Sequence, residues 1–276
     1  MSPENRFQYI HSKKLSHLTV LDATMSDFSY AKHAHEEYSL GVTLKGRQDF
    51  FCQHAFHQSP AGGILLFNPE DVHDGHSGIT ENLEYVMLYI HPDVLQPLFH
   101  ALGYHKKSLL RFSYPLLNNP ILRYQILALR NMFRFPHYSK IEFETALFQI
   151  AHSLVKSAGY LENGLKHMTK RDVLMLRAKD YILSNLAQDI SVDDIAHTVN
   201  MSKFHFIRLF RCQFGITPHQ YVLNCRINLA RKNLEAGFSP SHVALESGFA
   251  DSSHLNRYFK RVFGMTPKQY QLQRVR

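Results

Sequence analysis

Three cysteines in 276 residues, Cys52, Cys212 and Cys225, are few and far apart. With no C-x-x-C spacing among them, they argue against a zinc ribbon or a disulfide framework. Cys212 and Cys225 sit among helical apolar residues and read as buried packing thiols. Nowhere do 18 apolar residues run together, and no basic stretch followed by an apolar run opens the chain. Neither membrane insertion nor export is indicated, and the cytoplasm is the expected compartment. The third shortage is of acid. From Lys170 onward 8 Asp and Glu stand against 16 Lys and Arg, while residues 1–169 hold 15 of each sign, so the whole formal charge of +8 lies in the C-terminal part. Such segregation is the electrostatic footprint of a duplex-binding module, because neutralising phosphates and releasing counterions supplies most sequence-independent affinity. A solubilising basic surface is the plainer alternative.

The basic part also repeats itself. MSKFHFIRLFRCQFGITPHQY at 201–221 and FADSSHLNRYFKRVFGMTPKQY at 249–270 share the form of a DNA-reading helix-turn-helix, each ending in Phe-Gly-(Ile/Met)-Thr-Pro. Ser191 opens SVDD, close to a capping box, and should start a helix through Ile195, Ala196 and Val199 that Asn200 breaks. Ser202 then caps a second helix beginning at Lys203. Along it Phe206, Leu209, Phe210 and Gln213 share one side at about 100° per residue, and Phe204, Ile207, Arg208 and Arg211 share the other. Gly215 closes this helix, and Thr217-Pro218 starts the next. The signals return 49 residues later, from Gly215 to Gly264. Ser239-Pro240 opens a helix, Gly248 ends it, Asp251 caps its successor, and Gly264, Thr266 and Pro267 terminate and restart the chain. Leu255, Tyr258, Phe259 and Val262 form the inward face here; Ser253, Asn256, Arg257 and Lys260 form the outward arc.

Arg208 and Arg257 thus occupy the same rotational position, suited to a guanine edge or a phosphate; an ion pair with an acid of the same domain is the alternative. Between the copies, Pro218 to Glu235 reads as one helix, roughly 27 Å long at 1.5 Å per residue. That rod could hold two reading helices about one duplex turn apart, near 34 Å. Its Arg226, Arg231 and Lys232 are either contacts to the DNA backbone or a solvated face.

The stretch from Ile195 to Tyr270, with IAHTVNMSKFHFIRLFRCQFGITPHQY, the helical linker and HVALESGFADSSHLNRYFKRVFGMTPKQY in order, resembles the DNA-binding domain of the AraC/XylS family of bacterial transcription regulators. The resemblance implies two helix-turn-helix units entering successive major grooves of an asymmetric site. It implies DNA contacts from Phe204, Ile207 and Arg208 in the first reading helix, and from Ser252, Ser253, Asn256 and Arg257 in the second. Phe204 and Ile207 are apolar and would meet thymine methyls or sugar edges by packing, which leaves discrimination in that helix mainly to Arg208.

Residues 20–92 are short apolar stretches punctuated by Gly, Asn and Pro: YSLGVTL, GRQDFFCQ, GGILLFNPEDVH and ENLEYVMLYI. They predict a compact antiparallel sheet or barrel. HAHEEYSLGVTLKGRQDFF with AGGILLFNPEDVHDG resembles the small-molecule-binding domain of the same family, a cupin-like β-barrel preceding its helices. His33, His35 and His73 could ligate a divalent ion. Metal-binding cupins, however, carry a glutamate where this chain has Ser39 and a glycine where it has Asp71, so no metal or other cofactor is expected. The histidines, with Tyr38 and Tyr85, are expected to line a pocket and hydrogen-bond a polar effector; partly exposed strand residues without a ligand are the alternative. Two helical patterns follow, through Ile121, Ile126, Leu127, Leu129 and Phe133, then Ile141, Phe143, Leu147, Ile150, Ala151 and Leu154. The resemblance implies dimerisation there, and packing on the barrel would give the same pattern. Gly159 to Lys170 reads as a linker.

The expectation is an α+β chain of two domains: residues 1–165 as a cupin-like effector-binding and dimerisation domain, and residues 170–276 as an all-α double helix-turn-helix joined by a long helix. It is a non-enzymatic transcription regulator binding double-stranded promoter DNA and a small-molecule effector, an activator contacting RNA polymerase, and a homodimer. An effectorless regulator controlled by its own abundance or by a protein partner, its barrel filled by aromatics such as Phe50, Phe51 and Phe67, and a metal-dependent cupin enzyme tethered to DNA, are the rivals.

Overall fold

The computed structural model describes residues 5–12, 15–79, 82–105, 108–135, 138–157 and 169–274. The chain divides into two compact units, residues 1–162 together with 273–276, and residues 163–272.

The first unit holds β1 (Arg6–Ser12), β2 (Leu15–Met25), β3 (Ser29–His33), β4 (Tyr38–Lys45), β5 (Arg47–Cys52), β6 (Ala55–Pro60), β7 (Ile64–Phe67), β8 (His73–Ser77), β9 (Leu83–Ile90) and β10 (Leu116–Leu117). They form two sheets, ordered β1-β2-β9-β4-β7-β10 and β3-β8-β5-β6. The paired strands run antiparallel. β5 and β6 are joined by Gln53 and His54, both at positive φ (50° and 65°). That is the conformation a two-residue hairpin of matching twist requires, reached without the usual Asn-Gly. Strands begin earlier than expected, since β1 and the first five residues of β2 precede residue 20.

Alternation along the strands sorts side chains into two layers. Leu40, Val42, Val86, Leu88 and Ile90 face three helices, α1 (Pro92–Ala101), α2 (Pro120–Arg134) and α3 (Lys140–Ser157), and share one core with Phe99, Ile126, Leu129, Phe143 and Ile150. Packing of α2 on the sheet and of α3 against α1 and α2 within this core therefore accounts for the two helical patterns. Ile121 and Ile141, assigned to those patterns from sequence, sit in the first turns and are 67% and 70% exposed.

The second unit holds α4 (Lys170–Ser184), α5 (Val192–Thr198), α6 (Lys203–Phe214), α7 (Pro218–Glu235), α8 (Pro240–Glu246), α9 (Ser252–Phe263) and α10 (Pro267–Arg274) as far as Leu272. Local chemistry sets these limits. Thr169, Ser191 and Thr217 each form a reciprocal capping box, with Asp172, Asp194 and Gln220. Asn200 adopts a left-handed φ of 54°, and Gly215 and Gly264 close α6 and α9 at 76° and 74°. Ser202 holds the N-cap position of α6 but makes no side-chain capping bond, contrary to expectation. α1 and α4 were not anticipated. The linker expected over Gly159 to Lys170 lies outside the described residues, apart from Thr169 and Lys170, which open α4.

The repeat extends to the packing. Phe210 meets Tyr221 edge-on at 5.4 Å and 71°, and Phe259 meets Tyr270 at 5.5 Å and 71°. Phe206, Phe210, Leu255 and Phe259 are fully buried, each contributing about 1.5–3 kcal/mol relative to exposure. Cys212 is exposed on α6 and Cys225 only half-buried, so neither is the buried packing thiol expected. Among the described residues no helix is long and apolar enough to cross a membrane.

Candidate functional site

The outward arcs of α6 and α9 carry the side chains that could meet a duplex. On α6, Lys203, Phe204, Arg208 and Arg211 are exposed and Ile207 is half-buried; Phe204 keeps 83% of its surface in water. A phenylalanine so exposed gains nothing from its own fold. On α9, Ser253, Asn256, Arg257 and Lys260 are exposed and Ser252 is half-buried. Arg208 reaches His205 Nδ1 at 3.2 Å. Among the described residues neither Arg208 nor Arg257 pairs with a carboxylate, which removes the structural alternative for both. Lys203 is engaged, its Nζ 2.6 Å from Asp193 on α5, in an exposed pair that a phosphate could compete for.

The cations of α7 behave differently. Arg226 donates from Nε to Leu186 O at 2.9 Å and from Nη2 to Gln188 O at 2.6 Å, tying α7 to the turn after α4. Arg231 is buried and faces Glu235 at 3.8 Å. Lys232 is exposed.

The second arrangement is a cavity of about 20 Å³ between the two sheets. That is room for about one water molecule or one ion. His33, His35, His73, Tyr30, Tyr85 and Tyr89 line it together with Ser39, Gln48, Phe67, Asp74 and Met87. The three histidines are 4–5% exposed, which overturns the reading of them as partly exposed strand residues. His33 Nδ1 donates to Ala31 O at 2.7 Å and His73 Nδ1 to Asp71 O at 2.8 Å. Because a carbonyl can only accept, both rings are held with Nε2 unprotonated. Burial, reinforced by the neighbouring His73, lowers the His33 pKa to about 3, and burial lowers that of His73 to about 4. Tyr30 Oη and Tyr85 Oη bond at 2.7 Å across the sheets, and desolvation raises both phenols. Ser39 Oγ and Gln48 Oε1 are buried with no hydrogen-bond partner.

Residues 16–133 match the family model of the AraC-like ligand-binding domain, and residues 195–273 match that of a helix-turn-helix domain. The chain belongs to the AraC/XylS family. It is a DNA-binding transcription regulator with an N-terminal ligand-binding domain. An uncharacterized HTH-type transcriptional regulator of Bacillus subtilis, YbfI, is 28% identical over 244 residues, 82% of this chain and 81% of that one. The MmsAB operon regulatory protein of Pseudomonas aeruginosa is 26% identical over 220 residues, 78% and 67% of the two chains. ToxT from Vibrio cholerae has the same fold, with a TM-score of 0.58 at 17% identity over 93% of this chain and 98% of that one. ToxT has also been solved with an unsaturated fatty acid bound, at a TM-score of 0.60 and 16% identity.

In this AraC/XylS regulator, four of the five residues expected at the effector site, His33, His35, His73 and Tyr85, do line the cavity. Tyr38 does not. It lies on the helix-facing side of β4, where its hydroxyl donates to Leu110 O at 2.6 Å among Phe99 and Phe112. The next residue, Ser39, faces the cavity instead, because neighbours on a strand point to opposite faces. Tyr30, Gln48 and Tyr89 were missed. Once β9 is aligned, Tyr89 follows from the parity of Tyr85, whereas Tyr30 and Gln48 depend on how the sheets stack. Of the aromatics expected to fill an effectorless barrel, Phe50 and Phe67 are buried, but Phe51 is 36% exposed with the Lys32 ammonium 4.7 Å above its ring.

Proposed function

We propose that this AraC/XylS regulator grips an asymmetric promoter site with α6 and α9 in successive major grooves, acting by binding and not by catalysis. The observation that carries this reading is the pair of exposed arcs, each with an exposed arginine at the same rotational position that pairs with no carboxylate of the described residues. Phe204, Ile207 and Arg208 then read one half of the site, and Ser252, Ser253, Asn256 and Arg257 the other. Lys203, Arg211 and Lys260 meet flanking phosphates. Residues 170–276 form the DNA-binding domain, and residues 1–165 take a small effector in the cavity of His33, His35, His73 and Tyr85. The effector alters DNA affinity through a coupling free energy. The chain works in the cytoplasm as an activator contacting RNA polymerase. It pairs as a homodimer through α2 and α3, where Ile121, Tyr124 and Ile141 are exposed.

The test begins by selecting a binding site from random duplexes, then measuring affinity for Arg208→Ala and Arg257→Ala. Each should weaken binding by about 5- to 150-fold, the equivalent of about 1–3 kcal/mol for a bidentate base contact. A change below threefold for both would remove these arginines from the interface.

A further inference from the structure

We infer that the barrel cavity of this regulator is a binding site for a single divalent transition-metal ion of the zinc type, held by His33, His35 and His73. This rests on the reading of the N-terminal domain as the effector domain and names the class of effector. One ligand nitrogen from each of the three buried rings lies within 4.8 Å of the others. His33 Nε2 and His35 Nε2 are 3.1 Å apart. Two imidazole nitrogens at about 2.0–2.1 Å from a tetrahedral zinc stand roughly 3.3 Å apart, so this pair is already at coordination distance and the set closes with an approach of His73 by at most about 1.5 Å.

The supporting shell is in place. His33 and His73 each anchor Nδ1–H on a backbone carbonyl, of Ala31 and Asp71, which aims the Nε2 lone pair inward as outer-shell partners of metal-bound histidine do. Since His33 Nε2 carries no hydrogen, His35 Nε2 supplies the proton of their contact, and coordination through that nitrogen requires the neutral His35 ring to carry its hydrogen on Nδ1 instead. The second, independent observation is the unpartnered Ser39 Oγ and Gln48 Oε1, 1% and 4% exposed residues lining the same cavity. A group in the ion's fourth position would supply the partner that these two buried oxygens lack. Ser39, which counted against a metal in the sequence, therefore becomes a reason for an open coordination site.

Size and ligand type choose the occupant. About 20 Å³ admits a single ion and excludes an organic effector without rearrangement of the walls. Three imidazoles suit zinc, copper, nickel, cobalt or ferrous ions, whereas magnesium and calcium demand oxygen ligands.

The experiment uses the full-length protein, stripped with a chelator and titrated with Zn²⁺, Co²⁺ or Mg²⁺ while heat release, thermal unfolding and visible absorption are followed. The expected result is one tight Zn²⁺ per chain, a Tm raised by several degrees at 100 times the dissociation constant, a cobalt spectrum of tetrahedral nitrogen coordination, and no response to Mg²⁺. His33→Gln and His73→Gln should each weaken the site by about a hundredfold or more, while the exposed His205→Gln leaves it intact. If the cavity variants fail to fold, X-ray absorption of the wild-type zinc complex decides, three imidazole nitrogens supporting the site. Absence of a stoichiometric Zn²⁺ site, or one untouched in folded His33→Gln and His73→Gln, overturns the inference. DNA binding and a Tm panel of organic compounds run on the same samples keep the failures apart. An organic ligand that stabilises the protein where zinc does not leaves the effector reading standing and the metal site refuted.

Discussion

A single step along β4 separates two tyrosine roles that composition cannot distinguish. Tyr85 faces the cavity and bonds Tyr30, while Tyr38, chosen from sequence for the same task, anchors the Leu110 carbonyl in the helix-side core. Tyr38→Phe should therefore cost about 1–3 kcal/mol in a denaturant titration, the desolvation of an orphaned carbonyl, and leave effector binding unchanged. Loss of effector binding with unaltered stability would place Tyr38 back in the pocket. The histidines were legible as a group because an H-x-H pair on one strand end and a third histidine after a Pro-containing turn imply convergence. Their neutrality was not, because it depends on burial that only the stacked sheets supply. Its sign can be worked out. With folded pKa values of about 3 and 4, both below the usual 6.5, His33 and His73 stay neutral in the folded metal-free protein while the unfolded chain takes up protons. Stability is full above about pH 6.5 and falls on acidification by about 1.4 kcal/mol per pH unit for each histidine, levelling off near pH 3–4. His73→Gln should flatten that slope between pH 6 and 4.5; an unchanged slope in urea titrations would refute the account.

At the scale of elements, punctuation was read well where it is local. α7 runs from Pro218 to Glu235 as expected, since Thr217, Pro218 and Gln220 define its start chemically. α1 and α4 were missed for opposite reasons, the first carrying Pro97 in its interior and the second leaving only Met175, Ala178 and Ile182 buried, a thin apolar stripe. What sequence could not give is the surroundings of equivalent residues. Gly215 and Gly248 share a φ of 76°, yet a Cβ on Gly215 would meet nothing within 4 Å. On Gly248 it would collide with the Leu186 carbonyl and come within 2.8 Å of Arg226 Nε, the two ends of the strap that ties α7 to the turn after α4. Gly215→Ala should cost about 1–2 kcal/mol from the left-handed backbone alone. Gly248→Ala should cost more, because neither obstructing group is a free chain end. Equal losses in chemical denaturation would mean that the strap yields without penalty.

For the whole molecule, the most legible property was the division of labour. All the formal excess of charge falls from Lys170 onward, and the unit formed there is the one whose helices expose Arg208, Arg211, Arg257 and Lys260. The barrel's order of parts was also legible, but its division into a six-stranded and a four-stranded sheet was not, since pairing such as β2 with β9 joins residues some 65 positions apart through register alone. The central claim is that one chain carries two reading helices for one face of the duplex. Hydroxyl-radical and methylation footprinting of a complex with one chain per selected duplex tests it most directly. Protection of two major-groove segments about 10 base pairs apart, with Arg208→Ala erasing one segment and Arg257→Ala the other, is the predicted result. Protection confined to one groove segment, or lost from both together with either variant, would contradict it.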